Sequence, residues 1–123
     1  SSYILDDLDV KMYEKYWDKL PKGAMVFDQR TPRSATIFGR GSDSAETLYR
    51  EKPEYIALVD SPDPIKIHAA GYDYIYYTNF YWDDHKALLD APCVKLVEQM
   101  DDIHSATGEA GNFRRLVDIT ACK

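Results

Sequence analysis

Apolar and polar positions alternate along this chain with two periods. From Asp9 to Leu20, Val10, Tyr13, Trp17 and Leu20 fall on one helical face, with Asp9 as N-cap and Pro21 as a stop, which predicts an amphipathic entry helix. Lys22-Gly23 then turns the chain into the apolar run at residues 24–28, a short buried strand. Pro32 and its charged neighbours read as a loop, and a second short strand is expected at 35–38. Gly39 to Asp43 forms a turn, and Asp43 with Glu46 has capping-box spacing for a helix carrying Leu48 and Tyr49. Another helical stretch is expected around Tyr55 to Val59.

The second half punctuates itself more sharply. Asp63 as N-cap and Pro64 at the first helical position start a helix that Gly71 ends. A strand over 72–78 follows at once, dense in aromatic and β-branched residues. Helix, glycine, strand is the closing half of a crossover, so this strand should pair in parallel with an earlier one. A helix is expected from about Asp83 to Asp90, ended by Pro92, and then strands at 94–100 and 113–121 joined by a polar loop as an antiparallel hairpin. The fold class is therefore α/β: a mixed, mostly parallel sheet flanked by helices in Rossmann-like layers, with the hairpin at its C-terminal side.

Pairing hairpin residues whose numbers sum to 215 sets Val94 against Ala121, Leu96 against Ile119 and Glu98 against Val117. The same register sets Cys93 opposite Cys122, at a separation a disulfide tolerates. The alternative is two unrelated buried thiols. A bridge would close a loop of roughly 30 residues, stabilise by on the order of 3 kcal/mol, and place the domain in an oxidising space.

Composition narrows the class. The 123 residues read as one domain, long enough to bury a core without a metal or added crosslinks, and no apolar run approaches the ~20 residues of a membrane span. A formal net charge of −6 argues against a nucleic-acid partner, which would need clustered Lys and Arg. The chain opens on Ser1-Ser2 and closes on Cys122-Lys123, ends that read as those of a segment of a longer protein.

Candidate chemistry is sparse. Gly39-Arg40-Gly41 lacks the third glycine of a dinucleotide loop and the Lys-Ser/Thr of a P-loop, so it reads as a turn and no cofactor is called. Asp83-Asp84-His85 and Asp101-Asp102 with His104 lack zinc spacing; the first suits helix capping and the second a solvated loop, so no metal is called. Neither a nucleophile elbow nor a Cys-His pairing of known type is readable, no catalytic residue is assigned, and His68 reads as a packed or surface residue. The carboxyl ends of parallel strands, where α/β folds place ligands, would gather Asp28, Arg30, Thr78 and Asn79. Arg40 and Trp82, each following a strand, complete the candidate ligand-binding set. Ten tyrosines stand out: Tyr72, Tyr74 and Tyr76 are expected on one side of their strand, Ile75 and Tyr77 on the other. Core and interface packing is the first explanation, and a ring platform for sugars the functional one.

The order of Trp17-Asp18-Lys19-Leu20-Pro21-Lys22-Gly23-Ala24-Met25-Val26-Phe27-Asp28, Ile37-Phe38-Gly39-Arg40, Ala70-Gly71-Tyr72-Asp73-Tyr74-Ile75-Tyr76, Pro92 to Val97, and Asn112 to Ile119 with Cys122 resembles the soluble C-terminal domain of bacterial polytopic membrane proteins of the mannosyltransferase and arabinosyltransferase class. These are strand-entry and turn patterns rather than catalytic signatures. The resemblance implies a domain on the extracytoplasmic side of the bacterial cytoplasmic membrane whose catalytic acids lie in the membrane portion of the parent chain. The expected function is non-catalytic: holding a glycan, or a partner such as that membrane portion. The alternatives are a small stand-alone enzyme acting at the strand ends, and a homodimerisation module using the tyrosine-rich face.

Overall fold

A computed structural model describes residues 7–16, 19–21, 23–28, 57–58, 62–78, 85–104 and 109–123. The elements are α1 (Asp7–Tyr16), β1 (Val26–Asp28), α2 (Pro64–Ala69), β2 (Tyr74–Thr78), α3 (His85–Asp90), β3 (Lys95–His104) and β4 (Glu109–Asp118). The strands form a mixed sheet in the order β1-β2-β4-β3. The expected α/β class holds. The parallel pair is β1 with β2, as the helix-glycine-strand pattern required, while β2 with β4 and β3 with β4 are antiparallel. Among the described residues the sheet is thus mostly antiparallel. The expected strand at 35–38 and the helix carrying Leu48 and Tyr49 lie outside the described residues; of the stretch at 55–59, residues 57–58 are helical.

Local chemistry accounts for the best-placed elements. Asp63 Oδ1 accepts hydrogen bonds from the amides of Ile65 (2.9 Å) and Lys66 (3.3 Å), and Pro64 opens α2. Gly71, at φ +107°, takes the backbone reversal that ends it.

Strand alternation sorts the core into two layers. Val26, Tyr76 and Leu116 face α1, where Met12 and Tyr13 meet them, and Tyr13 packs on Tyr76 with ring centroids 5.1 Å apart. Phe27, Ile75, Tyr77 and Val117 point the other way, onto Ile67 of α2 and Leu88 of α3. Tyr72 was expected beside Tyr74 and Tyr76 but joins this second layer, edge-on to Phe27 at 5.0 Å. The strand starts at Tyr74, and a bend at Asp73 breaks the alternation.

The β3/β4 register corrects the expected one. The summed numbers are 213 at Lys95↔Asp118 and Leu96↔Val117, 214 from Glu98↔Leu116 to Asp101↔Phe113, and 213 again at Ile103↔Ala110 and His104↔Glu109, with register shifts between Leu96 and Glu98 and between Asp101 and Ile103. Leu96 therefore opposes Val117 rather than Ile119. The strands also extend differently from the 94–100 and 113–121 expected, with Asp101 to His104 inside β3 rather than in a loop. Asp118 ends β4 because its Oδ1 accepts bonds from both the amide and the hydroxyl of Thr120, which folds the chain out of the ladder. The Cys93–Cys122 disulfide nevertheless forms, with Cα atoms 4.9 Å apart. It lies beyond the last ladder pair, where Val94 N–H bonds to Ala91 O and Cys122 N–H to Ile119 O. Two turns, not a continuing ladder, bring the cysteines together.

Candidate functional site

The sequence-level site is only partly described. Asp28 ends β1 level with Tyr76, and Thr78 ends β2 two residues further on, so the backbone does bring these two to one edge. Thr78 is fully buried there, opposite Arg114. Arg30, Arg40, Asn79 and Trp82 lie outside the described residues.

At the opposite edge, where β1 and β2 begin, the chain builds a recess of about 270 Å³ lined by Pro21, Gly23, Ala24, Asp73, Tyr74 and Thr120. Its first wall is the turn after α1, in which Ala24 N–H bonds to Pro21 O at 3.1 Å and Gly23 takes φ +82°. Its floor is Asp73, which ties three segments. The Asp73 amide donates to Met25 O (2.8 Å), Asp73 Oδ2 accepts from the Met25 amide (3.1 Å), and Asp73 O accepts from the Ile119 amide (2.9 Å). Tyr74 and Thr120 supply the rest. Because β4 runs antiparallel to β2, its carboxyl end returns to the edge where β2 starts, and Asp118 stands directly across from Tyr74.

The electrostatics are acidic. Burial, then the charges of Asp118 and Asp73, raise the Tyr74 phenol above its ordinary value, so it stays a neutral hydroxyl across physiological pH. Each carboxylate is held by one oxygen and presents the other: Asp73 through Oδ2 to Met25, Asp118 through Oδ1 to Thr120. Asp73 Oδ1 and Asp118 Oδ2 have no hydrogen-bond partner among the described residues. Of the tyrosines at 72, 74, 76 and 77, only Tyr74 keeps part of its ring open; the other three are core. The recess can thus offer the Tyr74 ring and phenol and the Asp73 acceptor to a small polar ligand, with the Asp118 acceptor beside it.

Sequence reasoning missed this site because it looked to the carboxyl ends of the strands. The available signal was an aspartate at each of two strand ends, Asp73 immediately before β2 and Asp118 closing β4. It missed a second polar feature too. Asp9 sits inside α1 rather than capping it, fully buried, where its Oδ1 accepts from Arg114 Nε and Tyr76 Oη, both at 2.6 Å. His68 is half-buried, and its Nδ1 donates to the Cys122 carbonyl beside the disulfide.

No family model matches the chain, and neither a curated protein nor a solved structure matches it.

Proposed function

We propose that this chain is a non-catalytic domain of a bacterial membrane glycosyltransferase-like protein, standing on the extracytoplasmic side of the cytoplasmic membrane and holding a glycan for the membrane portion of its own parent chain. The observation that carries the glycan-holding role is the recess, in which half-buried Tyr74 stands beside the Asp73 carboxylate, with the Asp118 carboxylate across the ladder from Tyr74 and one acceptor oxygen to spare on each. Flat ring faces and fixed oxygen acceptors are what a polyhydroxylated ring uses for binding. The disulfide supports the location, since such bonds persist in oxidising compartments. On this reading the helices on both faces are Rossmann-like layers, and β3 and β4 form the C-terminal hairpin.

The location is tested with the parent chain tagged inside this domain in intact spheroplasts. Added protease should remove the tag, and a tag protected until lysis overturns the placement. The glycan role is tested by passing disulfide-intact domain over immobilised bacterial envelope polysaccharide. Retention released by soluble polysaccharide is expected, and passage without delay overturns it.

A further inference from the structure

We infer that the recess at the start of β1 and β2 is a subsite for one uncharged pyranose ring and rejects sugars that carry a carboxylate or phosphate. The inference rests on the glycan-holding reading and deepens it by naming the ligand's size and charge.

Size comes first. At about 270 Å³ the recess lies just below the range of ordinary small-molecule pockets, room for a single ring rather than a chain of them. Shape follows from Tyr74, whose ring is anchored at one side against the α1 layer and open at the other, so that an apolar face of a pyranose can lie on it. Polar recognition falls to Asp73 Oδ1 in the lining, Asp118 Oδ2 at its flank and the Thr120 hydroxyl. The first two are pure acceptors whose geometry is fixed by the bonds on their sister oxygens, so they suit sugar hydroxyl donors without further ordering. Hydroxyl groups donating to an ionised carboxylate make the stronger, charge-assisted class of hydrogen bond.

Charge gives the selectivity. Among the described residues that line the recess none is a cation, and Asp73 lines it while Asp118 flanks it. Lys95, across the ladder from Asp118, makes no ion pair with it. An anionic substituent would meet the like charge of Asp73 and Asp118 at short range, a penalty that grows as water leaves the site.

The experiment is a nitrogen-15 amide titration of the disulfide-intact domain with methyl α-mannopyranoside, methyl α-glucopyranoside, methyl α-galactopyranoside and methyl β-glucuronide. At least one neutral glycoside should shift the amides of Gly23, Asp73, Tyr74 and Thr120 saturably, and the glucuronide should bind at least tenfold more weakly. Asp73→Asn keeps an acceptor for the Met25 amide while removing the charge, so it should narrow that neutral-over-anionic ratio. Tyr74→Leu keeps apolar bulk against α1 and should weaken the neutral glycoside at least tenfold with the remaining amide spectrum unchanged. Equal binding of the glucuronide, or no saturable shift at these amides with any neutral glycoside, overturns the inference. A neutral oligosaccharide that binds but shifts amides elsewhere removes this subsite and leaves the glycan-holding reading standing; silence towards every sugar removes both.

Discussion

Asp9 and Arg114 are separated by most of the chain, yet their side chains are both fully buried and 2.6 Å apart. A buried ion pair is a poor source of net stability, because desolvating both groups offsets much of their attraction, but removing one partner is costly. Asp9 Oδ1 also accepts from Tyr76 Oη, and Arg114 Nη1 donates to the Phe113 carbonyl, so the pair joins α1, β2 and β4 at one point. Asp9→Ala should therefore lower unfolding stability by about 3–5 kcal/mol, measured by denaturant titration. Asp9→Leu combined with Arg114→Met should recover a large part of that loss; a double variant as unstable as the sum of the singles would show that the pair is not the coupled unit described. Neither residue announced this role. An aspartate near a helix start has a sufficient local explanation as a cap, and no local pattern connects it to an arginine in the last strand.

The elements differ in how much of their placement local chemistry decides. Asp63-Pro64 and Gly71 bracket α2 through bonds within a few residues, so its start and end could be read from the chain. That β2 pairs in parallel with an earlier strand followed from crossover geometry, though not that the strand is β1. The β3/β4 register did not follow, because a bulge adds a residue to one strand without any composition to mark it, and hydrophobic matching tolerates a shift of two. The disulfide was found through that faulty register, its cysteines carried together instead by turns at Ala91–Val94 and Ile119–Cys122. The recess escaped notice for a related reason: a mostly parallel picture puts ligands at carboxyl ends, whereas antiparallel β4 carries its own carboxyl end to the other edge. Replacing Cys93 and Cys122 together by Ala should cost about 2–4 kcal/mol, read from denaturant midpoints of the two proteins. A loss under about 0.5 kcal/mol would mean that the turns hold this corner without the crosslink. The link between α1 and β3 has a different signature. Burial alone would raise Glu98, but hydrogen bonds from Lys19 and Lys15 and their charges outweigh it and hold the carboxyl below its ordinary value. The unfolded chain then binds the proton first as pH falls, so this contribution is present above the ordinary value of about 4.3 and is lost as pH drops through the folded one. Glu98→Gln should destabilise modestly at neutral pH and not at all in strong acid. A difference that persists unchanged into acid would assign the effect to packing.

Across the whole molecule, a tyrosine with a raised phenol stands on each face of the sheet, and the fully buried one, Tyr77, sets its alkaline limit. Tyr77 is buried in the layer under α2 and α3, with Phe113 edge-on at 6.2 Å, and Tyr74 lies in the layer under α1. Burial raises the Tyr77 phenol strongly, more than the nearby Arg115 charge lowers it; Tyr74 is raised by burial and by Asp118 and Asp73. In both cases the fold favours the neutral phenol, so the native chain holds protons that the unfolded chain has already released. Stability is then fully present below the unfolded value of about 10 and falls as pH rises through and beyond it. Exposed tyrosines should titrate first with the fold intact. The last to ionise, Tyr77, should do so only together with loss of circular dichroism, because the layer under α2 and α3 cannot admit a phenolate without opening. Tyr77→Phe removes the more strongly raised group while keeping its ring, so it should move the alkaline unfolding midpoint to higher pH. Full tyrosinate absorbance reached before any loss of circular dichroism would show that these phenols ionise in place, and that the two layers are looser around the sheet than their packing implies.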